Sequence, residues 1–156
     1  VVFVPVEHEG NSQGSEEEAE EIAKIANKLI GATYWKSDDD GAKLHIGWQD
    51  MLFVAPYNYQ VNLLKAVLPS DALIGSVDKF QGQEAPIVFV SMCTSDPSES
   101  PRGLDFIFSK NRLNVAISRG QSLAIIVGSP KLGSTPVGNL RQMGLVNFYS
   151  AIMEYQ

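Results

Sequence analysis

Five short apolar runs, each bounded by polar or glycine-containing turns, constrain the fold of this chain more than any other feature. Runs rich in valine, isoleucine and phenylalanine are typical of strands that are buried on both faces of a sheet. They occupy residues 1–6, 51–55, 73–74, 86–92 and 123–127. Because helical patterns lie between several of them, the sequence predicts an α/β fold with a mostly parallel sheet of about five or more strands. The first run starts at the first residue, so we expect the natural protein to continue upstream.

Helical patterns alternate with these runs. Ser15-Glu16-Glu17-Glu18 has the form of a capping box, with Ser15 as the N-cap and Glu18 reaching back to it, and the glutamates are expected to be solvated. Apolar residues then recur at three- and four-residue spacing up to Gly31, which predicts an amphipathic helix. Further helices are predicted over 59–68, after Ser109 or Asn111, and over 145–155. The helices should cover both faces of the sheet and give three layers.

Composition and charge limit the function classes. The 156 residues, of which 44% are apolar and 19% charged, suit a single domain, residues 1–156, with one core. The net charge is −6, yet the segment 101–131 holds five basic residues against one acidic residue, a local balance of +4. The basic residues are Arg102, Lys110, Arg112, Arg119 and Lys131. A basic region on an acidic body suits a local grip on phosphates, although a solvated basic face is equally compatible with this composition.

Nothing in the sequence indicates a membrane span, a secretion signal or a metal site. No run of 18 apolar residues occurs, and the single cysteine, Cys93, fits a core position in a reducing compartment, so we expect a cytoplasmic protein. Asp38, Asp39 and Asp40 lack the spacing of a calcium loop, and we predict no metal ligands. His8 and His45 have no partner at ligand spacing, so each is expected to lie on the surface or in packed surroundings.

The polar run from Ser76 to Glu84 lies between two predicted strands. Because ligands of open α/β sheets gather beyond the carboxyl ends of the strands, Ser76, Asp78, Gln81 and Glu84 are expected where a phosphate or a ribose could meet them. An ordinary turn between two strands is the alternative. Glu84 can accept hydrogen bonds from ribose hydroxyls, and Gly82 allows the backbone to approach a phosphate closely.

A second polar run, Asn111 to Arg119, begins the predicted helix that precedes the last strand. Its apolar positions, Leu113, Ala116 and Ile117, predict the buried face. Arg112 and Arg119 are seven residues apart, about two helical turns, so both guanidinium groups should lie on one flank of that face. The two groups could therefore face the same ligand crevice.

Three segments together resemble motifs of superfamily 1 helicases, in particular the subgroup of the nonsense-mediated-decay helicase. Residues 77–84 resemble motif V (V-D-x-F-Q-G-x-E), residues 113–119 resemble motif VI (L-N-V-A-x-[ST]-R), and residues 55–60 resemble motif IV. Many relatives continue motif VI as S-R-A-R, whereas this chain has Gly120 and Gln121 after Arg119. The resemblance implies the C-terminal RecA-like domain, a P-loop NTPase-like fold, of an ATP-dependent DNA or RNA helicase.

The resemblance also implies roles for individual residues. Arg119 is expected to be the catalytic residue, an arginine finger that reaches the γ-phosphate of ATP. The residues expected to bind the nucleotide are Gly82, Glu84, Gln81, Tyr57, Gln60 and Arg112. Those expected to contact single-stranded nucleic acid are Ser76, Asp78 and Asn114.

The chain contains no G-x-x-x-x-G-K-[ST] sequence and no Asp-Glu pair at the end of an apolar strand. We therefore expect ATP and Mg²⁺ to be bound mainly by an N-terminal RecA-like domain upstream in the same protein, and this chain alone to be inactive. Expected partners are that domain and single-stranded nucleic acid, with DNA favoured over RNA. The parent could be a bacterial fusion with a RecB-like nuclease. The alternative is a non-catalytic α/β module that kept the fold and binds protein or nucleic acid through the basic region.

Overall fold

The computed structural model describes residues 1–35 and 42–154. Its strands are β1 (Val2–Pro5), β2 (Thr33–Trp35), β3 (Lys43–His45), β4 (Met51–Val54), β5 (Leu73–Gly75), β6 (Ala85–Ser91) and β7 (Gly120–Gly128). Its α-helices are α1 (Glu16–Leu29), α2 (Asn58–Val67), α3 (Gly103–Ile107), α4 (Lys110–Ser118) and α5 (Leu140–Glu154). Short 3₁₀ turns occur at Trp48–Asp50, Asp78–Phe80 and Pro130–Ser134.

Five strands form one parallel sheet in the order β1-β7-β6-β4-β5. The predicted α/β class and the mostly parallel sheet are therefore confirmed. The hairpin β2–β3 is a separate antiparallel pair, which the sequence did not predict. Asp38, Asp39 and Asp40, for which the sequence predicts no metal binding, lie outside the described residues.

The sheet is buried on both faces. Every residue of β4 and β6 is buried, as expected for central parallel strands. One core cluster lies on the face covered by α1 and α2, where Ile22 and Leu64 pack with residues such as Phe89. A second cluster lies on the face of α3, α4 and α5, where Leu113 and Tyr149 take part. The three-layer prediction is confirmed.

The start of α1 agrees with only half of the capping-box prediction. Ser15 is the N-cap, and its hydroxyl accepts a hydrogen bond from the backbone N–H of Glu18 at 3.1 Å. The carboxylate of Glu18 does not reach back to Ser15, however, because it is fully buried and turned into the protein. The expectation that the glutamates of this turn are solvated is therefore wrong for Glu18, although Glu16 and Glu17 are exposed.

The segment 76–84, called the crossover segment here, carries the chain across the sheet. β5 ends at Gly75, which pairs with Val54, and Val54 in turn pairs with Val90 near the end of β6. β6 begins five residues before Val90, at Ala85, so its start lies roughly 16 Å back along the strand. The crossover segment therefore runs from the carboxyl edge of the sheet to the amino edge.

Helix α4 also carries the chain from the carboxyl edge of the sheet to the amino edge, between β6 and β7. It follows β6 and α3 in the chain, and β7 starts only one residue after its C-cap, Arg119. The hydroxyl of Ser109 caps its start by accepting from the N–H of Arg112 at 3.5 Å. Arg112 therefore lies near the beginning of α4, and Arg119 lies at the amino edge of the sheet.

Candidate functional site

An open groove of about 280 Å³ lies between the crossover segment and α4. The crossover segment supplies one wall, and α4 with its C-cap supplies the other. The lining residues are Val77, Asp78, Gln81, Asn111, Arg112, Val115 and Arg119. Arg112 and Arg119 thus face one groove, as their seven-residue spacing predicts. The groove brings together parts of motifs V and VI.

The groove is not simply a crevice beyond the carboxyl ends of the strands. Ser76 and Asp78 follow the end of β5 directly, as expected. Glu84, in contrast, immediately precedes β6, and Gln81 lies between the two edges. The expectation that all four residues lie at a carboxyl strand end is therefore wrong for Glu84, because the crossover segment has by then traversed the sheet.

The backbone of Arg119 is held in place, while its side chain forms no hydrogen bond or ion pair with the described residues. Its carbonyl accepts from the N–H of Ala85 at 2.9 Å, which fixes the end of α4 against the start of β6. The side chain is half-buried, and its Nε is buried without a hydrogen-bond partner among the described residues. A buried guanidinium N–H without a partner is costly, so this geometry suits an acceptor that arrives from outside.

Arg112 is oriented by two neighbours. Its Nη2 lies 3.8 Å from Oδ2 of Asp78 across the groove. Its guanidinium carbon also lies 4.5 Å from the ring centroid of Phe106, within cation–π range. The Asp78 carboxylate is highly exposed, so the ion pair contributes little stability and can exchange for another anion.

Gly82, Glu84 and Gln121 lie at the amino edge of the sheet. Gly82 has φ +77°, a conformation that favours glycine, and a Cβ there would meet nothing within 4 Å. Glu84 is exposed, and the amide of Gln121 donates to its carboxylate at 3.4 Å. The residue that replaces the second arginine of motif VI thus contacts the carboxylate predicted to bind ribose.

Close packing explains why residue 120 is a glycine. A Cβ at this position would lie 2.8 Å from the carbonyl oxygen of Leu123 and 2.9 Å from Cγ1 of Val88. The entrance of β7, beside a register irregularity between β6 and β7, therefore requires glycine in this backbone. The departure from S-R-A-R at this position reflects packing rather than ligand chemistry.

Tyr57 and Gln60 do not reach the groove. The ring of Tyr57 is buried against Phe106, with centroids 5.3 Å apart, and its hydroxyl bonds to that of Ser100. Gln60 is fully buried: its side chain accepts from the N–H of Ser15 at 2.7 Å and donates to the Ser15 carbonyl at 3.1 Å and the Ser91 hydroxyl at 2.9 Å. The structure gives both side chains partners within the protein, in positions that fix α2 on the sheet.

A buried polar network, which the sequence reasoning missed, surrounds Glu18. Its carboxylate accepts from the Ser91 hydroxyl at 2.6 Å, from the Cys93 N–H at 2.9 Å and from His8 Nε2 at 2.8 Å. His8 Nδ1 in turn bonds to Ser95 Oγ at 2.7 Å. Of the two placements expected for His8, packed surroundings are correct. The network joins the ends of β1 and β6 to the start of α1.

Cys93 is part of this network through its backbone and is the one non-glycine residue with positive φ (53°) among the described residues. Its side chain is fully buried, and burial, with Glu18 nearby, raises the pKa of its thiol well above the ordinary value. The thiol is therefore protonated at neutral pH. The prediction that Cys93 is a core residue is confirmed.

Ser76 is half-exposed and Asn114 is exposed, but neither lines the groove. The strand-binding role predicted for them stays a prediction. Lys131 also lies elsewhere, in an exposed ion pair with Glu9 that raises the pKa of Lys131 and lowers that of Glu9. The basic region of the sequence is therefore not one continuous surface, and Arg112 and Arg119 are its members in the groove.

Comparison with known proteins agrees with this architecture. The AAA domain family matches residues 4–131, which include the crossover segment and α4. The chain is 37% identical over 87 residues to "Probable RNA helicase armi" of Drosophila melanogaster and 38% identical over 89 residues to "RNA helicase Mov10l1" of Mus musculus. It is 36% identical over 83 residues to "DNA polymerase alpha-associated DNA helicase A" of Schizosaccharomyces pombe.

These matches cover about half of the chain, 51%, 53% and 51% respectively, and only 7%, 8% and 12% of the relatives. The chain therefore corresponds to a small part of each of those proteins. No helix in the described ranges is long and apolar enough to cross a membrane. With the parallel sheet, the three motifs and the family match together, the chain belongs to the AAA domain family, and its resemblance to the C-terminal RecA-like domain of superfamily 1 helicases is confirmed.

Proposed function

We propose that this chain is the second RecA-like motor domain of an ATP-dependent nucleic-acid helicase. In this proposal Arg119 completes an ATP site whose other half lies on an N-terminal RecA-like domain of the same protein. The observation that carries the proposal is the unpartnered, buried Nε of Arg119 in the groove between motifs V and VI. An arginine so placed is ready to meet an anion that a second domain brings to the groove.

The chemistry required of Arg119 fits this position. Phosphoryl transfer depends on positioning and on stabilising charge on the γ-phosphate oxygens, and an arginine supplied from a second domain can provide much of that stabilisation. When bound, Mg²⁺–ATP supplies the transferable γ-phosphoryl group. Arg119 offers a planar fork that suits phosphate oxygens, while Glu84 offers exposed carboxylate oxygens for ribose hydroxyls. Gly82 leaves its backbone open to close approach.

Four further residues remain proposed for the nucleotide site, and they differ in whether they line the groove. They are Arg112, Gln81, Tyr57 and Gln60. Arg112 and Gln81 line the groove and can reach a ligand there. Tyr57 and Gln60 are buried, so we propose that they act by holding α2 in place. Ser76, Asp78 and Asn114 are proposed to contact the nucleic-acid strand.

The proposed polymer is a single strand, with DNA favoured over RNA. The names of the similar proteins include both RNA helicases and a DNA helicase. Binding of fluorescein-labelled dT and U oligomers of equal length, measured by anisotropy in the same salt, compares the two polymers. Tighter binding of the U oligomer would reverse this preference. That the parent includes a RecB-like nuclease stays a prediction.

Arg119→Ala in the full-length parent is the decisive test. We expect nucleic-acid-stimulated kcat to fall by roughly 10³ or more, because the interaction forms mainly in the transition state. Arg119→Lys should restore little, because one ammonium group cannot reproduce the planar fork. Thermal unfolding should be nearly unchanged, since the Arg119 side chain forms no hydrogen bond or ion pair with the described residues. A variant with near-normal kcat and a much lower Tm would show that Arg119 is structural.

The isolated 156-residue chain should show no ATPase activity above a contaminant control, because it contains no Walker A sequence. ATPase activity that co-purifies with the chain through successive columns would contradict the half-motor proposal. The alternative, a non-catalytic binding module, predicts instead that the parent gene encodes no Walker A sequence upstream and that strand binding persists unchanged into high salt.

A further inference from the structure

Two arginines share one aromatic ring beside the groove. The guanidinium carbon of Arg102 lies 4.7 Å from the ring centroid of Phe106, and that of Arg112 lies 4.5 Å from the same centroid. The two positive charges are therefore at most about 9 Å apart, the sum of those distances. The sequence predicted Arg112 to bind nucleotide and placed Arg102 only among the basic residues of 101–131, while no binding role was predicted for Phe106.

The ring that holds the two arginines is itself fixed. Phe106 is half-buried and packs on the buried ring of Tyr57. The hydroxyl of Tyr57 bonds to Ser100, which is also buried. Each arginine thus lies against a supported aromatic surface, which lowers the entropic cost of presenting its guanidinium to a ligand.

The charges of this cluster are poorly balanced within the protein. In residues 1–35 and 42–154, Arg102 forms no ion pair. Arg112 has only the 3.8 Å contact to Asp78, whose side chain is 80% exposed. Glu99 and Asp105 are each three residues from Arg102 in the sequence. Asp105 is paired at 3.6 Å with Arg141 instead, and Glu99 forms no ion pair within the described residues. Two like charges held together with one weak counter-charge favour binding of an external anion.

We propose that Arg102, Phe106 and Arg112 form a clamp for a backbone phosphate of single-stranded nucleic acid. Guanidinium forks bind phosphate oxygens in pairs, and Phe106 sets the separation of the two forks. This inference rests on the proposed function, which it deepens by adding Arg102 as a strand-binding residue and Phe106 as its positioning residue. It also moves Arg112 from the proposed nucleotide site to the strand site.

The position of the clamp favours the strand over the nucleotide. Arg112 and Arg119 are separated by seven residues of α4, about 10 Å along the helix axis. The clamp is at the Arg112 end, next to Asp78 and the carboxyl edge of the sheet, whereas Arg119 and Glu84 are at the amino edge. A ligand phosphate in the clamp is therefore displaced from the acceptor that Arg119 is proposed to meet.

The test measures anisotropy of a fluorescein-labelled dT oligomer with the chain, titrated with salt, for wild type, Arg102→Gln and Arg141→Gln. Arg141 is a matched control, because it is an exposed arginine with one ion pair and its loss changes the net charge equally. We expect Arg102→Gln to weaken binding roughly tenfold and to reduce the slope of log K against log salt by about 0.7, the value for one phosphate of a single strand. Arg141→Gln should change affinity less than about twofold.

One further variant and one further ligand distinguish a strand site from a nucleotide site. Phe106→Leu keeps an apolar side chain but removes the ring, and it should lose part of the affinity while circular dichroism confirms the fold. In the full-length parent, where the proposed N-terminal domain supplies the rest of the ATP site, a fluorescent ATP analogue should bind equally to wild type and Arg102→Gln. If Arg102→Gln weakens the ATP analogue and not the strand, the clamp belongs to the nucleotide and the inference is wrong.

Failure of the clamp and failure of the proposed function give different results. Equal strand affinities for Arg102→Gln and Arg141→Gln, with clear binding by wild type, would overturn the clamp alone. If the wild-type chain and the full-length parent both fail to bind a single strand at low salt, the strand-binding function and the clamp are both wrong. The Arg119→Ala measurement of turnover in the parent tests the motor function independently of either result.

Discussion

The network around Glu18 and the groove around Arg119 are both rich in polar side chains. The two regions differ in whether the central side chain finds hydrogen-bond partners within the protein. Glu18 is fully buried, and three donors from distant parts of the chain meet its carboxylate. Arg119 is half-buried, and its Nε meets no acceptor within the described residues. Buried groups with complete hydrogen bonding stabilise and specify a fold, whereas an incomplete set leaves room for a ligand.

This difference separates residues that look alike in the sequence. Gln60 and Gln81 are both glutamines within helicase-like motifs, and both were predicted to bind nucleotide. The side chain of Gln60 is enclosed by Ser15 and Ser91, while Gln81 lines the open groove. Changes in the network should therefore affect stability, and changes in the groove should affect turnover.

The largest effect on stability is expected from Glu18→Ala. The substitution leaves the Ser91 hydroxyl, the Cys93 N–H and the His8 imidazole without their acceptor in a buried site, which should cost about 3 kcal/mol of unfolding free energy. Urea denaturation followed by circular dichroism measures this loss. Glu20→Ala, at an exposed position of the same helix, is the control and should change stability by less than about 0.5 kcal/mol. Equal stabilities of the two variants would contradict the structural role of the network.

Gln60→Ala should destabilise the chain by about 2 kcal/mol. It removes one acceptor and two donor interactions from a fully buried site and leaves the Ser15 N–H unpaired. Asn62→Ala, at an exposed position of α2, serves as the comparison. In the folded parent protein, KM for ATP should stay within about twofold of wild type if Gln60 acts only on the fold. A large rise in KM without loss of stability would restore the nucleotide-binding role predicted from the sequence.

Stability should fall in mildly alkaline solution because of Cys93. Burial raises the pKa of its thiol, so above about pH 8.5 the unfolded chain releases a proton that the folded chain retains. The unfolded state then binds fewer protons, and the free energy of unfolding decreases with rising pH. The expected loss is about 1 kcal/mol between pH 8.5 and 9.5. Cys93→Ala should remove this slope, and a slope that persists in that variant would assign it to other groups.

The smallest effect is expected from Lys131→Gln. Lys131 pairs with Glu9 on the exposed surface and does not line the groove. Solvent and salt screen such a pair, so we expect no measurable change in Tm at 0.15 M salt. Strand affinity should also remain near that of wild type. A clear loss of strand affinity would show that the basic residues act as one surface and would weaken the distinction between regions.

Local patterns predicted the fold well because local patterns cause it. Ser15 caps α1 as expected, and Ser109, one of the two residues expected to cap α4, does so. The five apolar runs form the five strands of the sheet. The spacing of Arg112 and Arg119 on α4 also required only helical geometry. The hairpin β2–β3 was missed, since its strands have three residues each and neither is a continuous apolar run.

The polar network could not be predicted, because its members are distant in the sequence. Glu18 meets His8 from 10 residues away, but Ser91 and Cys93 from 73 and 75 residues away. A glutamate in the first turn of a helix fits a solvated capping box as well as it fits a buried site. The pattern therefore gave no indication that Glu18 is buried. The position of Glu84 was missed for a related reason: a polar loop between two strands does not reveal that it spans the width of the sheet.

Arg112 lies in α4, a helix of nine residues, and Arg119 is the C-cap of the same helix, so their relative positions are fixed. A helix this short does not bend appreciably, so the distance between the two guanidinium attachment points is constant at about 10 Å. Any rotation or sliding of α4 that brings one arginine toward its proposed ligand also displaces the other. The occupancy of one end of the groove is thereby linked to the geometry of the opposite end without any change in the helix itself.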